Sequence, residues 1–146
     1  MFTDSYILLA IGLLLIVVLA AAVVIPQIFN KDKKAIKAQM SQFMTEFNGI
    51  FSTSDHETLQ LKLQKFVSRF DNFIGKVLSY YGCVDPSVNR QIRMAMEKKL
   101  YSYEEFKVVK TFHLMRNQVI HEDKSISQHD VDTISHVLGI IQRLIG

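Results

Sequence analysis

A single cysteine, Cys83, stands in 146 residues. No intrachain disulfide can form, and nothing points to an oxidising compartment. There is no tryptophan, only two prolines (Pro26 and Pro86) and six glycines. The scattered glycines form no phosphate-cradling loop and exclude collagen-like or low-complexity chains. Positive charge is missing from the first thirty residues. All 17 lysines and arginines lie at or after Lys31, and of the 14 acids only Asp4 precedes it.

What fills that uncharged stretch is apolar. Residues 1–30 hold 23 apolar side chains, against 48 in the 116 residues that follow. Tyr6 to Ile25 reads YILLAIGLLLIVVLAAAVVI. At a helical rise of about 1.5 Å per residue it spans roughly 30 Å, the thickness of a bilayer's hydrocarbon core. A signal peptide would carry a basic start and a shorter apolar run. This N-terminus has neither, which favours an uncleaved anchor over a cleaved leader despite the small residues Ala20–Ala22. Pro26 is expected to end or kink the helix at the interface. Lys31, Lys33, Lys34 and Lys37 follow at once. The positive-inside rule then predicts a single-pass protein of the inner or cell membrane, N-terminus out and C-terminal domain in the cytoplasm. The domain organisation expected is an extracytoplasmic N-terminus at 1–5, a transmembrane helix at 6–29 and a cytoplasmic helical bundle at 30–146.

The remaining 116 residues suffice for one core and leave little room for a second domain. Their apolar residues recur at helical spacing. One stripe is Ile36, Met40, Phe43, Met44, Phe47, Ile50 and Phe51, in a helix that continues from the span after Pro26. Ser54 with Glu57 reads as a capping box. It opens a second stripe, Leu59 through Phe66, Phe70, Phe73, Ile74 and Val77 to Tyr81, which Gly82 stops. Asp85-Pro86 reads as N-cap and first helical residue of a third helix. Ser102 with Glu105 opens a fourth, Tyr103 to His121, and Ser127 with Asp130 opens the last. The fold class predicted is all-α: a transmembrane helix followed by a four- or five-helix bundle.

The helix from Tyr103 carries the most chemistry. On a wheel of roughly 100° per residue, Val108, Phe112, Met115 and Val119 fall together, with Val109 and Ile120 extending the arc. Arg116 falls inside that arc. An arginine there must pair with an acid on a neighbouring helix, snorkel to the rim, or face something anionic. His121 points about 140° away from Arg116 on an ideal helix. Asn117 shares a face with His121, and His113 lies on the same side one turn earlier. His121 sits near the negative end of the helix dipole, and taken alone it reads as a C-terminal cap. An imidazole there is also placed to take up and return a proton.

Arg116-Asn117-Gln118-Val119-Ile120-His121 resembles the R-x4-6-H motif of the HEPN superfamily, in the form with Asn directly after Arg. The resemblance covers roughly residues 33–146, as a small helical bundle with the motif closing the penultimate helix. It implies a homodimer in which the motifs of two protomers meet in one cleft. It also implies metal-independent endoribonuclease activity without a cofactor. Arg116 and His121 would be catalytic with Asn117 assisting, His121 moving protons for attack by the 2′-hydroxyl and Arg116 holding phosphate oxygens. A toxin–antitoxin or antiviral-defence role and a regulatory partner protein are further implications. The alternative is a non-catalytic, membrane-tethered module for dimerisation or for nucleotide or protein binding.

Weaker signals complete the picture. Arg90, Arg93, Lys98, Lys99, Lys107 and Lys110 fall on two consecutive helices. Of these Arg90, Arg93, Lys107 and Lys110, together with His113, are candidates for drawing in an RNA backbone. Ordinary solvated faces explain the same cations. The net charge after residue 30 is 17 − 13 = +4, permissive for RNA and not diagnostic. The histidines lack metal-ligand spacing, so no metal is expected. Tyr80, Tyr81, Tyr101 and Tyr103 could stack on bases but more often form core edges.

Overall fold

The computed structural model describes residues 2–146, with the Phe2 side chain outside the description. Five helices follow one another: α1 (Phe2–Ile50), α2 (His56–Tyr80), α3 (Val88–Glu97), α4 (Tyr103–His121) and α5 (Gln128–Ile145). Among the described residues there is no strand. The chain divides into two compact units, one up to Ile36 and one from Lys37 to Gly146. Composition places the change at 29/30, just before the first lysine, Lys31. The compact unit begins where side chains start to share a core.

The first unit is a single helix long and apolar enough to cross a membrane. Its large apolar side chains from Tyr6 to Phe29 stand 48–72% exposed. A continuous apolar surface of this size is costly in water and calls for lipid or another covering surface. Pro26 does not end the helix, contrary to one of the two outcomes read from the sequence. A proline removes one backbone donor, here the bond that would reach the carbonyl four residues back at Ala22. Membrane-crossing helices tolerate that loss.

The second unit is a bundle of α2–α5 joined by the Lys37–Ile50 segment of α1. α2 is the central element and packs against α3, α4 and α5, while α4 also packs against α3 and α5. Leu63, Phe66, Val67, Phe70, Ile74, Val77 and Leu78 of α2 are buried, at the i, i+3, i+4, i+7 spacing of a helical stripe. Phe43 and Phe47 of α1 meet Phe66, Phe70 and Phe73 of α2 with ring centroids 5.0–5.7 Å apart. Phe70 continues the chain of rings to Phe112 of α4 at 5.7 Å.

Local signals set most helix ends. Ser102 and Ser127 make reciprocal capping boxes with Glu105 and Asp130. Gly82 follows α2 at φ +87°, a left-handed conformation that glycine adopts without strain. Two starts differ from expectation. Asp55, not Ser54, caps α2, because its carboxylate accepts from the Thr58 amide. Asp85 accepts instead from the Ser87 amide two residues on, and α3 begins at Val88. That turn occupies the carboxylate that would have capped a helix at Pro86.

Candidate functional site

The buried face of α4 is made by Phe106, Val109, Phe112, His113, Met115 and Val119. It is turned from the arc expected on the wheel, away from half-buried Val108 and toward His113; Ile120, on the same side as His113 but in the last turn, remains 41% exposed. The turn brings His113 inward together with the base of Arg116. The reason lies on α2. Asp71 is buried at 1% exposure, one residue after Phe70 and within the apolar stripe. Its Oδ1 and Oδ2 lie 3.0 and 3.1 Å from His113 Nδ1. Its Oδ2 also lies 3.5 Å from Arg116 Nε, an ion pair that is not a hydrogen bond, since Nε has no acceptor within bonding geometry. A buried carboxylate is tolerated when basic groups compensate it, and two do so here.

Arg116 is not wholly enclosed: its side chain is 22% exposed. One terminal nitrogen, Nη1, donates to Asn117 Oδ1 at 3.0 Å. The structure therefore brings together Arg116, Asn117 and His113 within one turn of α4, with Asp71 behind them. It does not bring His121 to them. His121 is exposed in the last turn of α4, and among the described residues its ring makes no hydrogen bond or ion pair. Five residues of helix separate it from Arg116 by roughly 7.5 Å along the axis and about 140° around it. One chain alone does not close an Arg–His pair. His113 is buried on Asp71, which removes it from the exposed surface where it was a candidate for RNA contact.

The loop after His121 is fixed by Gln60 of α2. The Gln60 side chain donates to the Ile126 carbonyl and accepts from the Ile126 amide, both at 2.8 Å. This amide side chain substitutes for a strand partner and holds the path from α4 to α5. Asp123 within that loop takes φ +49°.

The basic set is spread over α3 and α4. Arg90 and Arg93 are exposed on α3. Lys107 pairs with Glu104 at 2.8 Å, and its hydrogen bond to that carboxylate raises its pKa. Lys107 and Lys110 lie over the rings of Tyr103 and Phe106, at 5.1 and 5.9 Å. These contacts are those of ordinary solvated lysines lying along their own helix. A surface groove of about 420 Å³ between α4 and α5 is lined by Lys107, Thr111, His129, Asp132 and His136. Among the described residues no three His, Cys, Asp or Glu side chains gather as a metal-binding group. Cys83 is fully buried, and burial pushes its thiol pKa up. Tyr101 is also buried, with its hydroxyl donating to the Ile92 carbonyl.

No family model, curated protein or solved structure matches this chain.

Sequence reasoning missed Asp71 and Gln60. Asp71 had a signal: it falls four residues after Val67, inside an apolar stripe, where an acid requires a buried cation. Gln60 had none, because a glutamine near a helix start is unremarkable until the loop it holds is seen.

Proposed function

We propose that the chain is a membrane-anchored endoribonuclease of the HEPN type, with Arg116 and His121 catalytic and Asn117 assisting. The observation that carries the reading is the disposition of α4. Arg116 is braced from behind by Asp71 and at one side by Asn117, with part of the guanidinium still open. His121 stands unengaged at the exposed end of the same helix. A two-fold pairing of α4 with a second copy would supply the Arg116 of one protomer to the His121 of the other. In that cleft His121 takes the proton of a ribose 2′-hydroxyl. The 2′-oxygen then attacks phosphorus and the 5′-oxygen leaves, taking up a proton. Arg116 neutralises the charge that builds on the non-bridging oxygens. The products are a 2′,3′-cyclic phosphate and a 5′-hydroxyl, and the proton balance needs no metal.

Anchoring by residues 6–29, with the lysines after it on the cytoplasmic side, would keep the domain where RNA is. Tethering two copies in one bilayer raises their effective concentration and favours pairing. A role as a toxin or defence effector fits a nuclease held under control by a partner protein.

The test uses the full chain in detergent micelles with labelled single-stranded RNA and EDTA. Cleavage is expected from the wild type and not from His121→Ala, at unchanged helical circular dichroism. Cleavage that survives both His121→Ala and Arg116→Ala refutes the assignment. Toxicity on expression, compared between wild type and His121→Ala, asks the same question in cells.

One observation favours a second reading. The pairing of Arg116 with buried Asp71 accounts for an arginine on an apolar arc without any reaction. In that case the bundle is a tethered module that dimerises or binds nucleotide or protein. Bound but intact oligonucleotide, over the same assay, supports it.

A further inference from the structure

Asp71 holds more than its own burial requires. A sealed carboxylate needs compensation, and His113 alone, with Nδ1 3.0 and 3.1 Å from the two oxygens, supplies a charge-assisted partner. Arg116 nevertheless approaches the same acid by its Nε edge. The Nη1 group is committed to the Asn117 carbonyl oxygen. The guanidinium plane is thus held on two sides, by a carboxylate behind and an amide oxygen beside it. Among the described residues the Nη2 group has no acceptor. Because Asn117 uses its oxygen on Arg116, its amide nitrogen remains as a donor. The open edge of the cluster consists of donors alone, which is the chemistry that receives an oxyanion.

We propose that Asp71 is a positioning residue. Its buried carboxylate bridges His113 and Arg116 and so aims the Nη edge of Arg116, with the Asn117 amide, at a phosphodiester oxygen. For the reaction this deepens the ribonuclease reading and rests on it; for anion binding it stands without it. Asp71 touches no substrate. It acts by restricting a side chain that otherwise has many rotamers, so that the cation is already in place when charge develops.

The experiment compares wild type, Asp71→Asn, Asp71→Glu and Arg116→Ala, each as the full chain in detergent micelles. Two readouts are taken: RNA cleavage, and the response of the Arg116 Nε resonance to inorganic phosphate. Asp71→Asn is expected to lower kcat by roughly tenfold to a hundredfold, the cost of misplacing a charge by about 1 Å, with KM little changed. Phosphate should shift the Nε resonance in the wild type and not in Asp71→Asn. If Asp71→Asn fails to fold, Asp71→Glu decides: it keeps the charge, moves it by one methylene, and should fall between wild type and Arg116→Ala in cleavage and show a weaker Nε response to phosphate than wild type. A folded Asp71→Asn (or, failing that, Asp71→Glu) with wild-type kcat and phosphate response overturns the proposal. If wild type leaves RNA intact, the ribonuclease reading fails and the phosphate response alone decides. A response lost on substitution of Asp71 supports positioning; one that is retained, or absent from wild type, overturns it.

Discussion

Replacing Phe70 with alanine tests whether the bundle is held together where its rings converge. Phe70 is fully buried at 0% exposure. Its ring centroid lies 5.2 Å from Phe43, 5.8 Å from Phe66, 6.1 Å from Phe73 and 5.7 Å from Phe112. Truncation removes a fully enclosed phenyl group and leaves a cavity walled by four other rings, which cannot all collapse inward. Such Phe→Ala changes cost about 3–5 kcal/mol. The lost edge-to-face contacts with Phe43 and Phe112 place this site toward the upper end. A domain of this size is stable by about 5–15 kcal/mol, so the loss is a large share. The midpoint should fall by roughly 15–30 °C, at about 4–8 °C per kcal/mol. The assay is thermal unfolding of the full chain in micelles followed by circular dichroism, with Leu114→Ala as control. Leu114 is 49% exposed, and its truncation should cost about 0.5 kcal/mol or less. A Phe70→Ala midpoint no lower than that of the control would refute the packing described here.

Two further expectations follow from buried polar groups. Burial raises the pKa of Cys83 above its ordinary 9.0 and those of Tyr81 and Tyr101 above their ordinary 10.0. The folded state therefore keeps protons that the unfolded chain would release, and its stability is full below pH 9 and falls as pH rises beyond about 9 to 10. Denaturation midpoints measured from pH 7 to 11 should decline through that window, and a flat profile contradicts the burial. Gln60→Ala removes both hydrogen bonds to the Ile126 backbone and leaves a buried amide and carbonyl without partners. The expected cost is about 1–3 kcal/mol, with faster tryptic cutting at Lys124; cutting at the wild-type rate would show that the loop is held by something else.

Helix positions were legible because each helix writes its own stripe. Ser102–Glu105 and Ser127–Asp130 were read directly as capping boxes, since both partners lie within one turn. Ser54 and Asp85 were read less well because two polar residues competed at each start, and the carboxylate nearer a free amide took it. Of the two outcomes that Pro26 allows, an end or a kink, the end does not occur, because one missing donor does not outweigh a long apolar run. The site is a harder case. Arg116 could be placed on an apolar arc by arithmetic, but its partner is on another helix, and His113 meets the same acid across 42 residues. No periodicity reports a contact of that range. The wheel centres the buried face of α4 on Phe112, Met115 and Val119 and includes Val108, whereas the observed face is shifted away from Val108 and toward Phe106 and His113, which meets Asp71.

Phe70 and Asp71 are consecutive, so their side chains leave α2 about 100° apart. Phe70 meets Phe43 of α1 on one side and Phe112 of α4 on the other. Asp71 meets His113, the residue after Phe112, and Arg116 one turn further on. One turn of α2 therefore sets both how the Lys37–Ile50 segment of α1 seats in the bundle and where the guanidinium of α4 is held. The two tasks use different chemistry: ring packing is tolerant of small rotations, whereas the carboxylate contacts are spent within a few tenths of an ångström. A change that loosens Phe70 without unfolding the bundle should disturb the surroundings of Arg116 as well, although it removes no atom that Arg116 touches. A change at Phe47, whose ring meets those of Phe51, just after α1, and Phe66, should leave Arg116 as it is. The contrast between those two phenylalanines separates a site carried by α2 from one that α4 assembles by itself.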